Sequence, residues 1–173
     1  MNQNKNPTVY LAGPLFTWGE EMFNLRWKKH LECAALGEEL SVDFVLPQEM
    51  EGKHASHEGI FTSNLERIDQ SVAMVAVMDG PDCDSGTAWE IGYAFSKDKV
   101  VLGIRTDFRK AGETGLGNLM LTESIRHSGG EIIDYGADAD GSPIFYSGES
   151  GESMMDDMAT KVCRKLKGLK IDE

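Results

Sequence analysis

The chain has 173 residues, 40% of them hydrophobic and 27% charged, a balance that excludes a disordered or fibrous polymer and predicts a single domain spanning 1–173. Lys and Arg number 17 and Asp and Glu 29, so the net charge is −12 and phosphate backbones and anionic lipid are repelled. No nucleic-acid and no membrane partner is expected, whereas small neutral substrates lose nothing from that charge.

Residues 8–12 form a short run of β-formers that stops at Gly13 and Pro14, a strand followed by a turn. Over 20–36 the positions Phe23, Trp27, Leu31, Ala34 and Ala35 recur at helical spacing, with Gly37 as the expected stop. Residues 43–46 read as a second strand closed by Pro47. The polar, irregular stretch 48–59 reads as a mobile loop, and a helix over 62–70 follows with Leu65 and Ile68 pointing inward. Residues 72–78 are apolar without alternation, the mark of a strand covered on both faces and hence of a parallel sheet between helices. A helix over 85–97 leads to a fourth strand at 100–104, and 131–135 reads as a fifth. Residues 136–151 read as a loop or insertion, and 155–166 as a terminal helix with Met158, Val162 and Leu166 on one face. This order predicts the α/β class: a doubly wound parallel sheet of about five strands with helices on both faces.

Cys33, Cys83 and Cys163 have no CxxC or zinc-ligand spacing and read as free thiols of a reducing cytosol. Residues 1–6 carry no apolar signal region, and the longest apolar run, 72–78, is too short to span a bilayer, so a cytoplasmic location is expected. His54 and His57 are three apart and could share a helical face around a metal. The composition about them is that of a loop without a third ligand, so no metal is expected.

In doubly wound sheets ligands sit beyond the C-terminal ends of the strands, which directs attention to 10–13, 47–48, 79–86 and 105–107. The densest cluster there runs from Asp79 through Asp82 and Asp84 to Glu90 at the start of a helix. Glu90 has two readings. Thr87 and Glu90 fit a capping box, and Asp84 and Ser85 are ordinary N-cap residues. Alternatively, the cluster carries chemistry at the strand ends, with the charge of Glu90 favoured by the helix N-terminus. Phosphate-loop, dinucleotide-loop and calcium-loop patterns are absent.

The segments 9–16, beginning Val9-Tyr10-Leu11-Ala12-Gly13-Pro14, and 84–94, with its D-x-G-x-x-x-E-x-G-x-A order, carry a further message together with Asn64 and Asn118-Leu119-Met120. In this order they resemble the nucleoside 2-deoxyribosyltransferase family, over residues 8–121. The resemblance implies a flavodoxin-like fold and a homo-oligomer, dimer or hexamer, whose neighbouring subunits complete each site. It implies deoxynucleosides and free nucleobases as substrates, and no cofactor. Residue by residue, it makes Glu90 the nucleophile and Tyr10 the group holding its carboxylate. Asp84 would bind the sugar 5′-hydroxyl, Asn118 would reach that hydroxyl from a neighbouring subunit, and Phe16 would line the base pocket. Gly13 and Ser85 complete the substrate-binding set expected at the strand ends.

Asn64 falls where some members have an aspartate that assists the departing base. An asparagine donates a hydrogen bond but no proton, which leaves Asp79, Gln48, Glu49 or Glu51 as alternative help. Bland readings stand beside these: Tyr10 as a sheet-packing aromatic, Phe16 as core, Asn118 as a helix cap. Trp89 and Tyr93, four apart, read as packing or as a subunit contact. Cys83 lacks a neighbouring base, so thiol catalysis is not expected.

Breaking an N-glycosidic bond builds positive charge at C1′, which a carboxylate beneath the sugar stabilises or captures as a glycosyl-enzyme. A second base as acceptor then gives transfer with retention. Two alternatives remain: a deoxynucleoside 5′-monophosphate N-glycosidase, and a non-catalytic nucleotide-binding or sensor module. The charge of Asp84 favours nucleosides over nucleotides.

Overall fold

Alternation sends Val9 and Leu11 to one face of the first strand and Tyr10 and Ala12 to the other, and all four are buried. Both faces of that strand must therefore be covered. The computed structural model, which describes residues 6–50 and 56–169, shows how. Strands β1 (Thr8–Ala12), β2 (Asp43–Val45), β3 (Ala73–Val77), β4 (Val100–Arg105) and β5 (Ile132–Asp134) form a parallel sheet in the order β2-β1-β3-β4-β5. Helices α1 (Trp18–Gly37) and α5 (Gly148–Gly168) lie on one face, where Trp27, Leu31, Met158 and Val162 pack on Val9, Leu11, Val75 and Ile104. Helices α2 (His57–Gln70), α3 (Ser85–Ser96) and α4 (Leu119–His127) cover the other, where Ile68, Ile91 and Ile125 pack on Tyr10, Met74, Ala76 and Val101. The chain travels outward from β1 to β2 and then reverses across β1 to β3. Keeping crossovers right-handed while reversing direction moves the connecting helices to the opposite face, which is the arrangement seen.

Strand positions follow the apolar runs closely; helix starts do not. Helix α1 begins at Trp18 rather than 20, because Thr17 is the cap: its hydroxyl accepts from Glu20 N at 3.3 Å and its own N–H donates to the Glu20 carboxylate at 2.8 Å. Gly37 is the last helical residue instead of the stop. The left-handed turn beyond it falls on Glu39, with φ 55°. Helix α2 begins at His57, five residues before the expected start, where Ser56 Oγ accepts from Gly59 N at 3.1 Å. The stretch read as a mobile loop thus contains a 3-10 turn at Pro47–Met50 and the first turn of α2, while 51–55 lie outside the described residues. Helix α4 was foreshadowed only by the reading of Asn118 as a helix cap, which it is, Oδ1 accepting from Met120 N at 2.9 Å. Helix α5 starts at Gly148 rather than 155, its first two turns being Gly, Ser and Glu with no apolar stripe to announce them. Among the described residues no helix is long and apolar enough to cross a membrane.

Candidate active site

The strand order reverses between β1 and β3, so a crevice opens beyond their C-terminal ends, the place where doubly wound sheets take ligands. Tyr10 rises from β1 on the face covered by α2 and α3, and Glu90 comes from α3, which follows β3. The Tyr10 hydroxyl donates to Glu90 Oε1 at 2.7 Å across 80 residues of sequence.

The expected capping box is not formed. Asp84 is the N-cap, its Oδ2 accepting from Thr87 N at 2.9 Å and from the Thr87 hydroxyl at 3.1 Å. Glu90 is therefore the sixth helical residue, in the second turn and beyond reach of the cap. Thr87, Ile91 and Ala94 form the buried stripe of α3, and Glu90 stands at its edge, turned toward the sheet. Burial outweighs the helix end. Desolvation raises the Glu90 carboxyl to about 7, with a smaller upward push from Asp84, while the Tyr10 hydrogen bond pulls it down. The expectation of a freely ionised glutamate is thus corrected: acid and carboxylate coexist near neutrality. Burial and the neighbouring carboxylate push the Tyr10 hydroxyl far above its ordinary range, so it stays a donor.

A cavity of about 440 Å³ opens between α2 and α3 and is lined by His57, Phe61, Asn64, Gly86, Trp89 and Glu90 among others. Trp89 is half exposed at its rim, stacked on Tyr93 at 5.2 Å between ring centres and tilted against Phe61 at 5.8 Å. Asn64 and Glu90 thus share one space, as the sequence order alone could not establish.

The remaining expected residues are placed less centrally. Ser85 is exposed at the first position of α3. Gly13 serves close packing, since a Cβ there would stand 3.1 Å from Val77 Cγ2 and 3.2 Å from Asn24 Oδ1. Phe16 is 75% exposed, so it is not core, and it is not part of the cavity wall. Asn118 is exposed at the start of α4, likewise outside that wall.

Three of the four alternative helpers for a leaving base are engaged elsewhere. Asp79 accepts from Thr106 N at 2.6 Å, the Thr106 hydroxyl at 2.5 Å and Asp107 N at 3.0 Å. Gln48 donates to Glu21 O at 3.0 Å and accepts from Asn24 at 3.2 Å. Glu49 is paired with Lys28 at 2.5 Å, and Glu51 and His54 lie outside the described residues. Cys83 is pushed up to about 12 by burial and by Asp84 and Asp82, so it is no thiolate. Among the described residues no group of three His, Cys, Asp or Glu is placed to hold a metal.

Two residues have roles that the sequence reading did not give them. His57 lines the cavity because Ser56 caps α2 and starts the helix at His57, a signal that the polar surroundings concealed. Arg105, only 1% exposed, donates to Met78 O at 2.5 Å, Gly80 O at 3.1 Å and Arg109 O at 2.6 Å. It ties the loop leading to Asp84 to the segment leading to Asn118. Gly80, at φ 115°, makes the turn that this tie requires.

The family described as nucleoside 2-deoxyribosyltransferase matches residues 9–162. No protein of curated function matches the sequence. Among solved structures, a conserved protein from Enterococcus faecalis V583 is 23% identical with a TM-score of 0.64, over 90% of this chain and 99% of that one. A 2-deoxyribosyltransferase from Bacillus psychrosaccharolyticus is 22% identical with a TM-score of 0.56, over 80% of this chain and 99% of that one. A flavodoxin from the domain Archaea is 8% identical with a TM-score of 0.50, over 92% and 99%. At such identities these likenesses speak for the flavodoxin-like fold alone.

Proposed function

The chain belongs to the nucleoside 2-deoxyribosyltransferase family, and from that premise we propose that it moves 2-deoxyribose between nucleobases through a glycosyl-Glu90 intermediate, with retention at C1′. Glu90 attacks C1′ as the carboxylate while the bond to the departing base breaks with its electron pair on the base nitrogen. A second base then attacks C1′ from the face the first one left, releasing Glu90. Tyr10 holds one carboxylate oxygen, leaving the other for the sugar.

The observation that carries this reading is the 2.7 Å bond from the Tyr10 hydroxyl to a Glu90 that lines a 440 Å³ cavity. The volume falls in the range of small-molecule sites, and the aromatic rim of Phe61 and Trp89 suits the flat face of a base. Asp84 spends Oδ2 on the helix cap, and in this reading Oδ1 accepts from the 5′-hydroxyl. A 5′-phosphate would meet the same carboxylate with like charge, a cost of about 4 kcal/mol at contact and intermediate dielectric. Nucleosides are therefore the substrates, in preference to their monophosphates.

Incubating the protein with deoxyinosine and free adenine or cytosine tests this directly. Chromatography is expected to reveal a new deoxynucleoside. Free hypoxanthine alone would replace transfer by hydrolysis, and unchanged substrate would overturn the enzymatic reading.

A further inference from the structure

A nucleobase that leaves C1′ takes the bonding pair onto its ring, and it departs as a stable neutral molecule only when a proton reaches it. Among the described residues lining the cavity, Glu90 and His57 are the two with an acid–base side chain; the others are Ile60, Phe61, Asn64, Leu65, Ile68, Gly86 and Trp89. Glu90 is taken by the sugar in the proposed reaction and cannot serve both ends of the same bond. Asn64 can orient the base by hydrogen bonding but has no proton to give.

His57 is placed to supply what Asn64 lacks. It is the first residue of α2, and His57, Phe61, Asn64 and Ile68 recur at positions i, i+4, i+7 and i+11 along that helix. They make one face, and Gly86, Trp89 and Glu90 face them from α3. A base resting against Phe61 and Trp89 would thus lie between the carboxylate at one wall and the imidazole at the other. Histidine is the side chain whose ordinary titration lies nearest physiological pH, which suits giving a proton and taking it back.

We propose that His57 is the general acid for the departing base and the general base for the incoming one, an inference that rests on the glycosyl-transfer reading of the site. In the first half-reaction the C1′–N bond breaks, its electron pair takes the imidazolium proton of His57 at a ring nitrogen of the base, and Glu90 bonds to C1′. In the second, the incoming base attacks C1′, the bond to Glu90 breaks, and the proton lost by that base returns to His57. Atoms and charge balance without any other reactant.

The test compares two leaving groups in His57→Gln and the unmodified protein. Deoxyinosine needs a proton for its base to leave neutral; N7-methyl-2′-deoxyguanosine is already cationic and its base leaves neutral unaided. General acid assistance is worth roughly 100-fold or more, so base release from deoxyinosine is expected to slow by that factor in His57→Gln. Slowing on the methylated substrate is expected to be at least tenfold smaller, which also certifies that the variant is folded. Equal slowing on both substrates, or slowing on neither, overturns the assignment of His57 alone. Release from neither substrate by the unmodified protein overturns the transfer reading, and this inference with it.

Discussion

Glu90 answers to two opposed demands: burial against the sheet and, in the proposed reaction, ionisation for attack. Raised from 4.5 to about 7 mainly by desolvation, it makes the folded chain bind a proton more tightly than the unfolded chain does. Stability then declines as pH rises from about 4.5 to 7 and stays low above. The shift corresponds to about 3 kcal/mol. Glu90→Gln, isosteric and uncharged, is expected to raise the urea-unfolding free energy by an amount of that order at pH 8, and by little at pH 4. The same variant should lose turnover by several orders of magnitude, because a covalent nucleophile is removed. A mere cap would produce the reverse pattern, about 1 kcal/mol of lost stability and intact activity. The acid limb of kcat/KM should fall near pH 7, with activity gained as Glu90 ionises. Since the Tyr10 hydroxyl favours the carboxylate, Tyr10→Phe is expected to move that limb to higher pH; an unmoved limb would remove Tyr10 from the proposed role. None of this was legible from spacing. Thr87 and Glu90 satisfied a capping pattern, and only the burial of Thr87 and the choice of Asp84 as cap turned Glu90 to the sheet.

At the scale of elements, the β3–α3 connection carries Asp84 and is held where it leaves β3. Arg105 reaches Met78 O and Gly80 O. Asp107, kept well below the usual carboxylate range by the Arg109 side chain, accepts from Gly80 N at 3.1 Å. Asp84→Ser retains a capping oxygen, so it should cost only a few tenths of a kcal/mol, whereas Asp84→Ala should cost about 1 kcal/mol. Both remove the charge at the proposed 5′ subsite. Asp84→Ser should therefore weaken deoxynucleoside turnover and improve that of the 5′-monophosphate; a parallel loss on both substrates would detach Asp84 from that subsite. Strands were legible because buried β-forming runs such as 73–78 need no partner to be recognised. Helix starts at Trp18, His57 and Gly148 were not, because a cap is set by one polar residue outside the apolar stripe. The extent of helix α4 escaped for a related reason: only Thr122 and Ile125 of its residues are buried, too few to make a period.

For the molecule as a whole, an oligomer with shared sites is the expectation attached to Asn118, which caps α4 within its own chain and stands apart from the cavity wall. Met120, two residues further on, is 73% exposed, and elsewhere on the surface Phe108 and Phe145 pair at 5.2 Å while both remain open. If Asn118 acts across an interface, mixing inactive Glu90→Ala chains with inactive Asn118→Ala chains is expected to restore part of the activity, since some mixed sites carry neither change. Light scattering that reported a monomer at working concentration would contradict it. The amino-acid sequence by itself determined the sheet and its two covered faces, because apolar periodicity is a local property that survives any tertiary arrangement. It also determined the family, through the order of the segments around Tyr10, Asp84, Glu90 and Asn118. Tertiary structure alone supplied the geometry of the Tyr10–Glu90 bond on one face of the sheet, and it alone decided that His57 and Asn64 share the cavity with Glu90 and that Asp79 is consumed by Thr106 and Asp107. Each of these depends on which groups desolvate one another, and desolvation is set by neighbours far apart in the chain.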